Sequence, residues 1–379
     1  MAVSIAEKRD YSILGPEKEK AVTQGLISAV WYQSPVPRNR MKELTKRRNL
    51  PAFRDTVLWI ALLGASGYVA WLSWGTWWSI LTFAVYGTLY AVPAGSKWHE
   101  FGHGTPFRTP WLNEIMAQFC AFLSLSPAST YRWTHVRHHT DTIIVGSDPE
   151  IVAPRPPHWG RLLTRYLHPT ATVRELFSYA SGRMSKELKA LIPASEQKKL
   201  FWEARSIIAI YSCLVALSFY WGTIAPLMFI GLPAFYGVWL NYPLGWTQHL
   251  GLYEDTLDHR LCTRTFKTNA IIRFLYTNMN YHVEHHMFPM IPYYNLPALH
   301  EEIKEDCPDP APSFRAAVRE TIDALRKQRH DPNYIVPRIR SFAERVGRAT
   351  MIDSMGLKQQ VDGSRPTIEM RMRKTSSEQ

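Results

Sequence analysis

The chain has 379 residues, 46% of them hydrophobic, 13% aromatic and 20% charged, with a formal net charge of +12. That length suits two ordinary soluble domains or one membrane-embedded unit, and the slightly negative mean hydropathy averages very apolar blocks with basic and polar ones. The charge points to nucleic acid, an anionic membrane surface or an acidic protein; no nucleic-acid motif supports the first, and four scattered cysteines, Cys120, Cys213, Cys262 and Cys307, argue against a disulfide framework, a zinc ribbon or a rubredoxin-like site.

The amino terminus, MAVSIAEKRDYSILGPEKEK, lacks the apolar core of a signal peptide. Residues 1–54 read as a cytoplasmic segment that ends in the basic cluster Arg38, Arg40, Lys42, Lys46, Arg47 and Arg48. From Thr56 to Ser96 no residue is charged, about 40 positions where one bilayer crossing needs roughly 20. Two spans fit, about 56–74 and 77–95, turning near Gly75 amid Trp71, Trp74, Trp77 and Trp78, rings of the kind that sit at headgroup level. Residues 110–129, interrupted by Asn113, Glu114 and Gln118, read as an interfacial helix that does not cross.

A polar segment rich in Arg and Lys, 131–203, follows, and then a second charge-free block from Ser206 to Trp246, again long enough for a hairpin with spans about 206–223 and 226–246. The basic cluster before the first span places the amino terminus in the cytoplasm by the positive-inside rule, and four crossings return the carboxyl terminus to that side. The expectation is an all-α integral membrane protein: four transmembrane helices in two hairpins within a domain of residues 55–345, a cytoplasmic helical cap, and a disordered tail, 346–379.

Eight of the fourteen histidines fall into three groups. They are His99 and His103 in HEFGH, His135, His138 and His139 in HVRHH, and His282, His285 and His286 in HVEHH. On a helix, spacings of three and four residues share a face, so each group can aim its imidazoles at one point. His249, just past the last expected span, is a ninth contributor. Four crossings put all nine at the cytoplasmic edge. Neutral imidazole suits iron, copper and zinc, and nine donors exceed one metal's capacity, so two metals held mainly by imidazole is the economical reading.

Iron is the redox ion suited to O2 chemistry on C–H bonds. His158, His168, His259, His300 and His330 read as surface or hydrogen-bonded residues. HEFGH also matches the HExxH pattern of zinc proteases, with Glu100 as general base, but that reading leaves the other clustered histidines without a role. If Glu100 is not a base, it orients a ligand imidazole, and Glu284, Asp141 and Asp148 are candidates for the same work.

The boxes HEFGH, HVRHH and HVEHH, in this order relative to the two hairpins, resemble the HxxxH, HxxHH and HxxHH boxes of the membrane fatty acid desaturase and hydroxylase superfamily over roughly residues 55–300. The resemblance implies a four-span fold whose cytoplasmic cap holds a non-haem diiron centre, with His99, His103, His135, His138, His139, His282, His285 and His286 as ligands and His249 as the isolated ninth. Some relatives carry an asparagine four residues before that isolated histidine; here the position is Gly245, with Asn241 and Asn280 nearby.

RWTHVRHHTDTIIVGSDPEI is similar to bacterial members, including oxygenase-like proteins of rhizopine catabolism that act beside a Rieske-type ferredoxin. Such a chain would sit in the bacterial inner membrane. Two ferrous ions and O2 would then take hydrogen from an unactivated carbon, giving an alkene on a fatty acyl lipid, or an alcohol or a demethylated product on a small methoxy compound. The chain has no cytochrome b5 haem motif, flavin fingerprint or iron–sulfur cysteine set. A separate donor is therefore expected, a ferredoxin or Rieske-type protein with its reductase. Arg132, Arg137, Arg155 and Arg161 can either dock an acidic carrier or face anionic lipid.

Overall fold

The computed structural model describes residues 9–164 and 169–350, together with two short strands, β1 (Leu357–Asp362) and β2 (Arg365–Met370), paired antiparallel. Everything else among the described residues is helix and loop. Part of the disorder expected for 346–379, like His168, lies outside the described residues.

The first charge-free block forms a helical hairpin of α1 (Asn49–Leu72) and α2 (Trp78–Gly102), with Gly75 at φ +79° in the turn. Its 25 residues make α2 about 37 Å long, so it carries HEFGH beyond the apolar stretch. Pro93 lies inside α2. Lacking an N–H, it leaves the carbonyl four residues earlier without its helical donor, and the buried Trp59 indole of α1 supplies one, donating to Leu89 O at 2.8 Å. One tryptophan thus fixes the register of the hairpin and satisfies the proline defect.

A 14-residue helix follows, α3 (Pro110–Leu123), about 21 Å long and shorter than a bilayer's hydrocarbon core. Next come α4 (Ala128–Thr140), bearing HVRHH, and, after a polar stretch, α5 (Ala194–Tyr220). Two stretches, Arg38–Leu72 and Ala194–Tyr220, are long and apolar enough to cross a bilayer by length and composition. The span expected over 226–246 is not one helix. Short helices Ala225–Phe229 and Pro233–Tyr236 and a 3-10 turn Val238–Leu240 precede α6 (Asn241–His249).

Proline explains the breaks, because Pro226 and Pro233 occupy first-turn positions and can start helices but not continue them. Gly231, at φ +106°, adds a left-handed corner. The segmented chain crosses α2 backbone to backbone: a Cβ on Gly237 would lie 2.0 Å from the Gly87 carbonyl oxygen.

Described residues after α6 pack as a helical cap over the histidine-bearing ends of α2, α4 and α6. It includes α7 (His282–Met287), α8 (Phe314–Gln328) and α9 (Pro337–Thr350). The amino-terminal segment lies across it as a strap, with Ser28 N donating to Asp141, Tyr32 N to Leu257 O and the Gln33 amide to Met287 O. Buried Arg260 pins the strap: it pairs with Asp258 and Asp306 at 2.7 Å, and the Tyr32 ring lies 3.6 Å from its guanidinium.

Gly237→Ala forces backbone apart at the α2 crossing and should destabilise the fold by about 1–3 kcal/mol or more. Gly64→Ala, on a helix face with nothing within 4 Å, should be neutral or stabilise by up to about 1 kcal/mol. Thermal unfolding of both variants in one detergent checks the contrast; equal melting temperatures would contradict the crossing.

Candidate metal centre

Three helices and one helix end deliver the nine histidines. α2 ends with His99 and His103, α4 carries His135, His138 and His139, α6 ends at His249, and α7 carries His282, His285 and His286. They sort into two groups within which the nitrogens lie no more than 4.8 Å apart. One contains His99, His103, His135, His139 and His285, the other His138, His249, His282 and His286. Each HxxHH helix therefore serves both groups. The groups touch where His139 stacks on His286, ring centroids 4.2 Å apart.

Within each group the Nε2 atoms face one another. His135 Nε2 lies 3.2 Å from that of His103 and 3.0 Å from that of His139, which lies 3.1 Å from that of His285. In the second group His282 Nε2 lies 3.0 Å from His249 Nε2 and 3.1 Å from His286 Nε2.

The outer nitrogens decide the tautomers. His249 Nδ1 donates to the Cys262 carbonyl at 2.9 Å. His286 Nδ1 lies 3.2 Å from Thr142 Oγ1, whose own hydrogen goes to His138 O, so the hydroxyl accepts. His135 Nδ1 faces Glu150 at 3.2 Å and His138 Nδ1 faces Asp148 at 2.8 Å. A neutral imidazole has one N–H, so Nε2 presents a lone pair in each of these rings when it is neutral. His282, with one N–H at most, cannot satisfy both His249 and His286. Among the described residues His99 Nε2 has no hydrogen-bond partner at all. Converging lone pairs in a buried place can hold a cation, and neutral imidazoles fit a transition metal such as iron or zinc.

Burial, reinforced by the neighbouring imidazoles, lowers the pKa of His135, His139, His282, His285 and His286 well below the ordinary value. These rings are neutral and ready to ligate at pH 7. His138 differs: burial lowers it too, but the Asp148 and Glu150 carboxylates outweigh burial and hold it at about 8. Burial raises Glu100 to about 7, and its Oε1 lies 3.2 Å from His99 Nδ1 and 3.6 Å from His285 Nδ1.

Of the four carboxylates expected to orient imidazoles, two lie against histidines of the two groups. Glu100 and Asp148 meet ligand-set imidazoles, and Asp148 is itself held by the backbone N–H groups of Ile143 and Glu150. Asp141 instead accepts from Ser28, Arg137 and Ser147. Glu284 is turned away: its oxygens meet Thr265 Oγ1 at 2.6 Å and His300 Nδ1. It stands two residues after His282, about 200° around a helix that turns about 100° per residue, so its side chain leaves the opposite face.

Glu150, Thr142 and the Cys262 carbonyl were not foreseen. Glu150 had a signal in the acidic SDPE that follows HVRHH; the other two had none, since their roles arise where the chain folds back. His158 and His330 are exposed, and His300 is bonded to Glu284. His259, expected as a surface or hydrogen-bonded residue, is 3% exposed and stacked on Trp31, and among the described residues its Nδ1 has no hydrogen-bond partner. Arg155 also turns inward, to Glu254 at 2.9 Å.

Two cavities reach the histidines. One, about 340 Å³, is lined mainly by apolar groups, among them Val92, Leu125, Phe235 and Met279, and touches His99. The other, about 450 Å³, touches His138 and His249 and carries Thr134, Glu150, Arg155, Glu254 and Gln328. Trp98, Tyr131, Gly245 and Gln248 line both, so Gly245 stands at their junction. Asn241 Nδ2 donates to Ala91 O and Asn280 Nδ2 to Phe266 O.

Comparison with known proteins places this geometry in context. The family model described as fatty acid desaturase matches residues 75–317, more than half the chain and inclusive of all nine histidines. The acyl-lipid omega-3 desaturase (cytochrome b5), endoplasmic reticulum, of Arabidopsis thaliana is 26% identical over 319 residues, 76% of each chain. The sn-2 acyl-lipid omega-3 desaturase (ferredoxin), chloroplastic, of the same plant is 24% identical over 267 residues, 64% of this chain and 58% of the relative. Fatty acid desaturase 3 of Homo sapiens is 22% identical over 243 residues, 58% of this chain and 54% of the relative.

Asp148→Asn and Glu150→Gln should each weaken metal binding about 10–100-fold, as loss of an orienting partner does, measured by competitive chelator titration. In the parent chain a proton on His138 competes with metal below about pH 8. Affinity of the second group should therefore rise with pH up to that point and level off above it. Calorimetry in two buffers at pH 7 should detect about one proton released by His138; pH-independent binding would contradict the assignment.

Proposed function

The chain belongs to the fatty acid desaturase family, and from that premise we propose an O2-dependent diiron oxidoreductase of the bacterial inner membrane that removes hydrogen from an unactivated carbon of a fatty acyl lipid. The observation that carries this reading is the pair of inward-facing imidazole groups. His99, His103, His135, His139 and His285 would hold one iron, and His138, His249, His282 and His286 the other. Bound there, ferrous iron supplies the electrons and coordination positions for O2 reduction, the source of an oxidant strong enough for a C–H bond.

The remaining work is done by the chain. Asp148, Glu150, Thr142 and the Cys262 carbonyl hold the imidazoles in their ligating tautomers. Glu100, buried beside His99 and His285 with its pKa near neutrality, holds or releases a proton at its carboxyl oxygens. The apolar cavity ending at His99 suits an acyl chain, which would displace water from its walls; the polar cavity beside His138 suits the chain's oxygenated end. Support for the bilayer comes from exposed apolar groups on the hairpins: Trp71, Trp77 and Trp78 are 61%, 88% and 69% exposed, as are Phe219 at 83% and Tyr220 at 84%. In this reading four passes, the last of them made of short helical segments, leave both termini cytoplasmic, and a separate ferredoxin or Rieske-type carrier with its reductase delivers electrons.

A second reading is favoured by the polar cavity. Its lining of Glu150, Arg155, Glu254, Gln248 and Gln328 offers donors and acceptors to a small methoxy compound, which hydroxylation would demethylate with a ferredoxin as donor. The HExxH zinc protease fits less well, since His99 and His103 share their group with three histidines from other helices.

Replacing His138 or His285 with Ala should strip iron and abolish turnover while the chain remains folded; full iron content in both variants would refute the ligand assignment. Mass spectrometry of lipids and of polar metabolites from cells with and without the chain separates the two readings: a new double bond in the acyl pool is expected, and an unchanged acyl pool with a demethylated polar product would select the second.

A further inference from the structure

His259 belongs to neither histidine group, yet it is 3% exposed, and among the described residues its Nδ1 has no hydrogen-bond partner. Its imidazole lies face to face with the Trp31 indole, centroids 4.1 Å apart and planes 4° from parallel. It also approaches His286 of the second group, centroids 5.3 Å apart. Trp31 is only half-buried. Its indole N–H donates to the Thr140 carbonyl at 2.9 Å, directly after His139. The indole is therefore fixed at both edges, by its stack on His259 and by its bond to the helix that carries HVRHH.

Trp31 comes to the surface among apolar groups, with the Arg137–Asp141 ion pair beside them. Val30 beside it is 77% exposed, and Val136, one helical turn before Thr140, is 48% exposed. Arg137 pairs with Asp141, which also accepts from Ser28 N, so the guanidinium lies on the same side of α4 as the strap. An apolar patch on a chain of net charge +12 suits an acidic partner that docks briefly and leaves.

We propose that the Trp31–His259 stack is the inlet by which electrons pass from a reduced, acidic one-electron carrier protein, docked over Val30, Trp31 and Val136, to the metal centre. This rests on the diiron reading above. Desaturation of R–CH2–CH2–R′ by O2 yields R–CH=CH–R′ and two waters and consumes two further electrons and two protons. Two carriers are oxidised in turn, each by one electron, and the ferric centre is reduced. The rings supply a π-stacked path through the cap and are not themselves oxidised. The path leads to His286, whose neighbour in the other group is the stacked His139, so it serves both metal positions.

The test uses the full iron-loaded chain in nanodiscs, with anaerobic stopped-flow reduction of the ferric centre by a reduced plant-type ferredoxin or by dithionite with methyl viologen. Trp31→Leu should keep its iron, be reduced by dithionite at the parent rate and be reduced by ferredoxin about tenfold more slowly, equivalent to roughly 1.4 kcal/mol in barrier. Trp31→Phe, which keeps a ring but loses the bond to Thr140, should restore most of the ferredoxin rate. Parent-like ferredoxin kinetics in Trp31→Leu would overturn the proposal alone. Iron loss, or equal slowing with both reductants, would make Trp31 a mere strut of the cap and overturn it too. A parent chain without a reducible iron centre would bring down the diiron reading and this proposal together.

Discussion

Lone pairs of buried imidazole nitrogens, turned toward one another at about 3 Å, are an arrangement that a folded chain does not adopt for its own stability. Burial keeps most of the rings from taking up protons that would let them hydrogen-bond in pairs. Positive charge between the nitrogens would make the arrangement favourable. The rest of the cap can be understood as holding that set in place: Cys262 O, Thr142, Asp148 and Glu150 meet the outer nitrogens of His249, His286, His138 and His135 and leave the inner nitrogens of those rings, when neutral, as acceptors. The strap and the Arg260 ion pairs close the outside.

The division of histidines between the two groups follows from helix geometry. At about 100° per residue, positions i and i+4 lie about 40° apart, while i+3 falls about 60° to the other side. His135 with His139, and His282 with His286, accordingly enter one group each, and His138 and His285, the i+3 members, enter the opposite one. The i, i+4 pair His99 and His103 stays together. Two antagonistic HxxHH helices therefore interlock two sites, and displacement of either helix disturbs both.

Much of this was legible in the sequence. The first hairpin, its turn at Gly75 and the convergence of the three boxes with His249 follow from charge-free length and from spacings of three and four. What sequence spacing could not supply was the direction of neighbours. Glu284 sits inside the HVEHH motif but leaves the opposite face of the helix, whereas Glu150, eleven residues beyond its box, returns to His135 because the turn at Ile143 and Gly146, both at positive φ, folds the chain back. The helix expected over 226–246 had its warning in Pro226, Gly231, Pro233 and Gly237; the length of the apolar run outweighed it. His259 and Trp31 lie more than two hundred residues apart in sequence, and no local pattern connects them.

The central claim is that the two imidazole groups are a pair of iron sites. Elemental analysis combined with X-ray absorption at the iron edge, on chain purified and loaded with ferrous iron under anaerobic conditions, tests it most directly. The account predicts two irons per chain with the multiple-scattering pattern of imidazole ligation. A single metal per chain, or iron whose spectrum lacks imidazole, would contradict it.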